Sequence, residues 1–166
     1  MAPDEIPPPG REEWGAWAES ALRPTDNFDR PLASWGRRAL AILIDAVVVA
    51  LAGVALAAVA LGGVSRPRSG AFNMAIGLLY YGLLNGSGGG QTLGKMALGI
   101  QVRDARTGGP LGVARGMVRY LVYAVLLLAC VLPGVADVLW PLWDDHRQAW
   151  HDHAVGSVVI EARRSS

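Results

Sequence analysis

The sequence predicts an all-α membrane protein of three to four short transmembrane or re-entrant helices that carries a small cytoplasmic β-hairpin-like loop. Three observations predict it. Of 166 residues, 52% are hydrophobic and 17% charged, which is too apolar for an ordinary soluble domain of this size. Residues 39–61 form an apolar run with one charge, Asp45, and at about 1.5 Å per residue such a run crosses a hydrocarbon core of roughly 30 Å. Two further apolar blocks follow, at 71–84 and 120–143.

Residues 1–34 are rich in proline and acids and lack an apolar core, so they are expected to form a disordered cytoplasmic tail. Within them Trp14, Trp17, Ala18 and Leu22 stand at helical spacing, and a short amphipathic helix on the membrane surface is the alternative. The tail is too long and too acidic for a signal peptide. Arg37-Arg38 is not read as a twin-arginine export signal, because Gly36 precedes the pair and Asp45 interrupts the core.

In the first helix Asp45 is the anomaly. An ionised carboxylate inside a bilayer is costly without a partner or a watery cavity, so it is read either as a functional site or as interhelical glue. Gly53 and Ala57 make a small-xxx-small pair that admits a close helix, from this chain or from a second copy. The second run, 71–84, is short for a span, which places Asn73 and Asn85 near the two interfaces.

The loop after it begins with a glycine turn. Residues 89–95 have the spacing of a phosphate-binding loop, but Met96 stands where a Ser or Thr would hold magnesium, and a span precedes the loop in place of a buried strand. The segment is therefore read as a turn leaving the bilayer, with Lys95 at the interface. Residues 97–104 alternate apolar and polar and read as a strand, followed by a turn and an amphipathic helix, and 155–161 is a second strand able to pair with the first.

The block 120–143 contains Pro133-Gly134 and Asp137, and is either one kinked span or two short helices folded back at Pro133-Gly134. If it folds back, one side of the membrane carries thirteen of the fifteen Lys and Arg; if it crosses, the split is ten to five. The positive-inside tendency favours the first arrangement, with both termini cytoplasmic.

The polar cluster of residues 143–157 holds Asp144, Asp145, His146, Gln148, His151, Asp152 and His153. His151 and His153 would splay to different faces of a helix, and the single cysteine, Cys130, excludes a Cys-based zinc site. No metal is expected. The segment is expected to lie along the inner membrane surface, anchored by Trp143 and Trp150.

Residues 35–45, 90–111 and 143–160, taken together and in this order, resemble the RDD family of bacterial membrane proteins. The resemblance covers roughly residues 33–161, leaving 162–166 as a short C-terminal tail, and the family's arginine and two aspartates fall on Arg38, Asp45 and Asp152. Ser157 departs from a frequent threonine and keeps the hydroxyl. Lys95, His151 and Gln148 lie in the matching motifs and are read as supporting residues. Arg38 and Asp45 share one helix face about 10 Å apart, too far to pair directly. Asp45 is therefore expected to meet a partner inside the bundle and Arg38 to meet Asp152 at the inner surface.

The resemblance implies a multi-pass protein of the bacterial plasma (inner) membrane, from a family with some members proposed to take part in ion or solute transport. Transport with Asp45 as an intramembrane polar site is the first functional expectation. A non-catalytic scaffold or assembly factor that recruits a cytoplasmic protein partner is the alternative. No enzyme activity, cofactor or nucleic-acid partner is expected; the bilayer is the expected environment, and a homo-oligomer is open because so few short spans enclose little volume.

Overall fold

The computed structural model describes residues 24–61, 70–129 and 131–162. The amphipathic helix expected near residues 12–22, the turn with Arg66 and Arg68, Cys130 and the C-terminal residues 163–166 lie outside them.

Helix α1, Trp35–Leu61, is the one described helix long and apolar enough to cross a membrane. Leu40, Leu43, Val47, Leu51 and Val54 recur every three or four positions along it and are all exposed, whereas Ala41 and Asp45 on the other side are buried. This inverts the amphipathic pattern of a water-soluble helix and suits a lipid surroundings. Helix α2, Gly70–Gly86, packs closely against α4, Val113–Ala129. They touch backbone to backbone: a methyl group on Gly116 would stand 2.5 Å from the Gly82 carbonyl oxygen, so a side chain there would push the helices apart. On α4, Val118, Leu121, Val125 and Leu128 face outward while Gly116, Arg119 and Ala124 are buried.

The third apolar block folds back. Gly134 of α5, Val131–Leu139, lies against Leu127 of α4, with an added Cβ only 3.0 Å from the Leu127 Cα, which a continuous helix could not achieve across seven residues. The reversal does not fall at Pro133-Gly134. Both residues sit inside α5, and Pro133 occupies its first turn, where the N–H that proline lacks would have had no helical partner. A 3-10 turn, Trp140–Leu142, ends the block.

Between α2 and α4 lie the short helix α3, Leu93–Ala97, and strand β1, Ile100–Asp104; after the block come helix α6, Trp150–Val155, and strand β2, Ser157–Glu161. The two strands pair antiparallel with Val102 opposite Val159, forming a small sheet from distant segments, not a hairpin. Ile100, Val102, Val159 and Leu111 are fully buried beneath it with Ala41 of α1.

Backbone pairing with the sheet begins before residue 35. Ala33 donates its N–H to the Val159 carbonyl at 2.9 Å, Glu161 donates to the Pro31 carbonyl at 2.9 Å, and Leu32 is buried. Residues 31–33 thus cover the outer edge of β2, and Asp26 shapes the preceding turn by accepting the N–H groups of Phe28 and Arg30. This part of the tail reads as polar and proline-rich, and its backbone pairing is invisible in composition.

The polar C-terminal segment does not lie along a surface. Gln148, Ala149, His151 and Asp152 are buried within the bundle; of the two expected anchors, Trp150 is half-buried against Trp140 and only Trp143 is largely exposed.

Candidate functional site

The start of α1, the end of α2, the start of α4, the end of α5 and all of α6 meet at one end of the bundle. Trp35 donates its indole N–H to the Val138 carbonyl at 2.9 Å, which joins the start of α1 to the end of α5. Polar side chains from these elements converge there.

Asp152 is the hub. As the third residue of α6 it reaches back to the N–H of Ala149 at 3.2 Å, and Ser157, just beyond the helix, donates its hydroxyl at 2.9 Å. Two guanidinium groups complete its shell: Arg38 of α1 donates to Oδ2, and Arg119 of α4 donates Nε and Nη2 to Oδ1 at 2.8 and 2.7 Å. Asp152 is wholly buried, and both arginines are nearly so. Burial alone would raise its pKa. The positive charges of Arg119 and Arg38 outweigh that and hold the carboxyl well below the usual carboxylate range. Arg38 also donates to the carbonyl of Arg147, so α1, α4 and α6 are fastened by one ion triad.

His151 turns away from His153. Its N–H and Nδ1 meet the two oxygens of buried Asp137 at 3.0 and 2.6 Å, while exposed His153 reaches half-buried Asp144 on the outside. Burial and the charge of Arg119 lower the pKa of His151, against Asp152 and Asp137, which favours neutral imidazole with Nδ1–H donating to Asp137. Gln148 donates its amide to the Ser157 carbonyl at 2.7 Å and so ties the approach to α6 onto β2.

Asp45 meets a different set. Tyr80 of α2 donates its hydroxyl to Oδ1 at 2.7 Å, the Gly94 N–H donates to Oδ1 at 2.8 Å, and Thr92 donates its hydroxyl to Oδ2 at 2.5 Å. The two hydroxyls in turn accept the N–H groups of Leu93 and Lys95, which opens α3 with Thr92 as its cap. Position 94 must be glycine for this docking. A Cβ there would lie 2.3 Å from the Ala41 carbonyl oxygen and 2.9 Å from the Asp45 Oδ1.

Docking of α3 carries Lys95 inward. Lys95 does not mark an interface, for it is buried and donates to Asn85 Oδ1 at the end of α2, an asparagine that is itself 1% exposed. Both residues line a cavity of about 130 Å³ whose other polar walls are Arg38, Asp45, Arg119 and His151. Tyr81 and Tyr120, stacked with ring centroids 5.3 Å apart, close its α2–α4 side.

The structure therefore pairs Arg38 with Asp152, keeps Asp45 apart from them, and places Lys95 and His151 around the same cavity. Arg119, Asn85, Tyr80, Thr92 and Ser157 were not legible as site residues. Arg119 left a signal, as a charge inside a helix that leads into an apolar block. So did Asp137.

A family model described as the RDD family matches residues 32–156, and the chain belongs to this family. Membership supports a membrane protein, in keeping with the length and composition of α1. No curated protein and no solved structure matches the chain.

Proposed function

We propose that this member of the RDD family is a multi-pass protein of the bacterial inner membrane that holds a small polar solute in the cavity at the polar end of its bundle, as a component of ion or solute transport. The observation that carries the reading is the cavity itself. Most of its wall is apolar, and into a space of about 130 Å³ it brings Arg38, Asn85, Lys95, Arg119 and His151, buried polar groups drawn from distant segments. Arg38, Arg119 and His151 are paired with Asp152 and Asp137, but among the described residues the side chains of Lys95 and Asn85 bond only to each other, and buried donors left over in this way are costly to keep without an occupant, water or solute. Asp45 contributes by docking α3 and so positioning Lys95, not as the group that carries the ion.

Flux into proteoliposomes tests this. A panel of small anions, cations and neutral solutes should include one taken up by the wild type and blocked by Ala46→Leu, which adds bulk to the cavity wall on α1. Uptake of none of them by folded protein would reject transport and leave the scaffold reading.

The topology that goes with this reading has both termini in the cytoplasm. Its support is the fold-back of α5 onto α4 and the resulting concentration of Lys and Arg on one side. Single cysteines check it in cells: Ser69→Cys should react with an impermeant reagent from outside, and Ser165→Cys only after permeabilisation. Labelling of both from outside would require the third block to cross the bilayer.

A further inference from the structure

We infer that the cavity takes a tetrahedral oxyanion, either free in solution or as the headgroup phosphate of an anionic lipid, with Lys95 as its principal contact and Arg38 and Arg119 beside it. This rests on the reading of the cavity as a solute site and adds the chemical class of the solute.

The wall is largely apolar, with Trp35, Ile42, Tyr81, Tyr120 and Val138 on it, and the few polar groups it holds are mostly donors. Lys95 is 7% exposed, and among the described residues its ammonium has one acceptor, Asn85 Oδ1, although it can donate three hydrogen bonds. Asn85 is 1% exposed, and its amide nitrogen donates to none of the described residues. Arg119 spends Nε and Nη2 on Asp152, and Nη1 has no described acceptor. Among the described residues the one carboxylate in the wall, Asp45, has both oxygens engaged by Tyr80, Thr92 and Gly94, so it offers little to a cation. A hard cation needs several oxygen ligands at short range, whereas an oxyanion needs convergent N–H donors and positive charge. The polar groups of this cavity, Lys95, Asn85 and Arg119 Nη1, belong to the second set. Its volume of about 130 Å³ resembles an engineered cavity of roughly 150 Å³ that holds one benzene molecule, so a phosphate- or sulfate-sized group fits.

Charge placement adds a consequence. Lys95 faces Arg119 from α4, Asp152 from α6, and Asp45 and Arg38 from α1. Burial first, then the two arginines, lowers its pKa well below the ordinary lysine value, against the two carboxylates. An anion brought against the amine raises that pKa again. Binding therefore takes up a proton at any pH between the empty-state and the bound-state values, and affinity falls as pH rises through that window.

Sulfate is the clean probe, because it keeps its charge throughout the working range. Calorimetric titration of the full-length protein in an uncharged detergent, repeated in buffers of different ionisation enthalpy, should show sulfate binding with proton uptake. Lys95→Met should weaken binding by about tenfold or more, as expected for loss of one charge-assisted contact. Lys95→Arg should retain binding and lose the proton uptake, because a guanidinium stays charged. If Lys95→Met does not fold, the arginine variant carries the test alone.

The source of the anion is read in nanodiscs. Loss of sulfate binding when phosphatidic acid is added to phosphatidylcholine points to a lipid headgroup; unchanged binding points to a free anion. Absence of sulfate binding in both detergent and phosphatidylcholine nanodiscs, or binding indifferent to Lys95→Met in a folded protein, overturns the oxyanion assignment. If a cation or a neutral solute still passes in proteoliposomes and Ala46→Leu still blocks it, the transport reading survives that failure.

Discussion

Asp152→Ala is expected to destabilise the protein by about 3 to 5 kcal/mol in detergent melts, because it leaves the buried cations Arg38 and Arg119 without their counter-charge. The cost lies in the orphaned guanidiniums more than in the lost attraction. It follows that removing the cations first should make the change mild: in Arg38→Met/Arg119→Met protein, Asp152→Ala should cost far less than in the wild type. The deficit in additivity measures the triad. Additive losses would mean that the three groups do not share one interaction. The same triad sets a pH dependence. Because the folded-state pKa of Asp152 lies well below its unfolded value, its stabilisation is complete above the unfolded value and is lost as pH falls toward the folded one. Asp152→Ala should remove that part of the acid sensitivity. An acid profile identical in wild type and variant would show that the carboxyl is not held down by its arginines.

Which parts of this arrangement were legible depended on how much of each contact is local. Asp45 stood out because one acid in a long apolar run violates the composition around it, and Arg38 and Asp152 stood out because they sit in motifs that keep their order. Their partners come from packing. Arg119 lies on the polar stripe of an amphipathic helix, which by habit is assigned to water; here the apolar stripe of α4 faces outward and the polar one faces the cavity. The inversion follows from the surroundings, not from the spacing, and spacing is all that periodicity reports. Lys95 was misplaced for a related reason. A lysine after a glycine turn looks exposed, and only the acceptor at Asp45, forty-nine residues before Gly94 in the chain, draws that turn into the interior. The strands fared better, since alternation at 97–104 and the run at 155–161 are local signals; that β2 is also covered by residues 31–33 is a matter of backbone hydrogen bonds that no side chain announces. Pro133-Gly134 misled in the opposite sense, because a strong breaker signal is silent in the first turn of a helix.

The sequence left Asp45 open between a transport group and glue, and the geometry favours glue with a specific load. Asp45→Asn keeps the size of the side chain but has one carbonyl oxygen where the carboxylate has two. If that oxygen stays with Tyr80 and Gly94, the amide nitrogen faces the Thr92 hydroxyl, which must turn around to accept and so gives up its 2.5 Å donation. The remaining bonds go to a neutral acceptor, roughly half as strong as an ionised one. The expected loss is about 1 to 3 kcal/mol, the scale of a hydrogen bond to a charged group, and it should fall on the docking of α3. Thr92→Val should produce part of the same loss, and adding it to Asp45→Asn should cost little more, since both act on one contact. Solute flux is expected to survive the asparagine change wherever the protein remains folded, because the oxygens of Asp45, although it lines the cavity, are engaged by Tyr80, Thr92 and Gly94. Stability and flux measured on one purified variant separate the alternatives. A protein as stable as wild type with its flux abolished would make Asp45 the working group of the transport path, and would reduce its hold on Thr92 and Gly94 to an incidental contact.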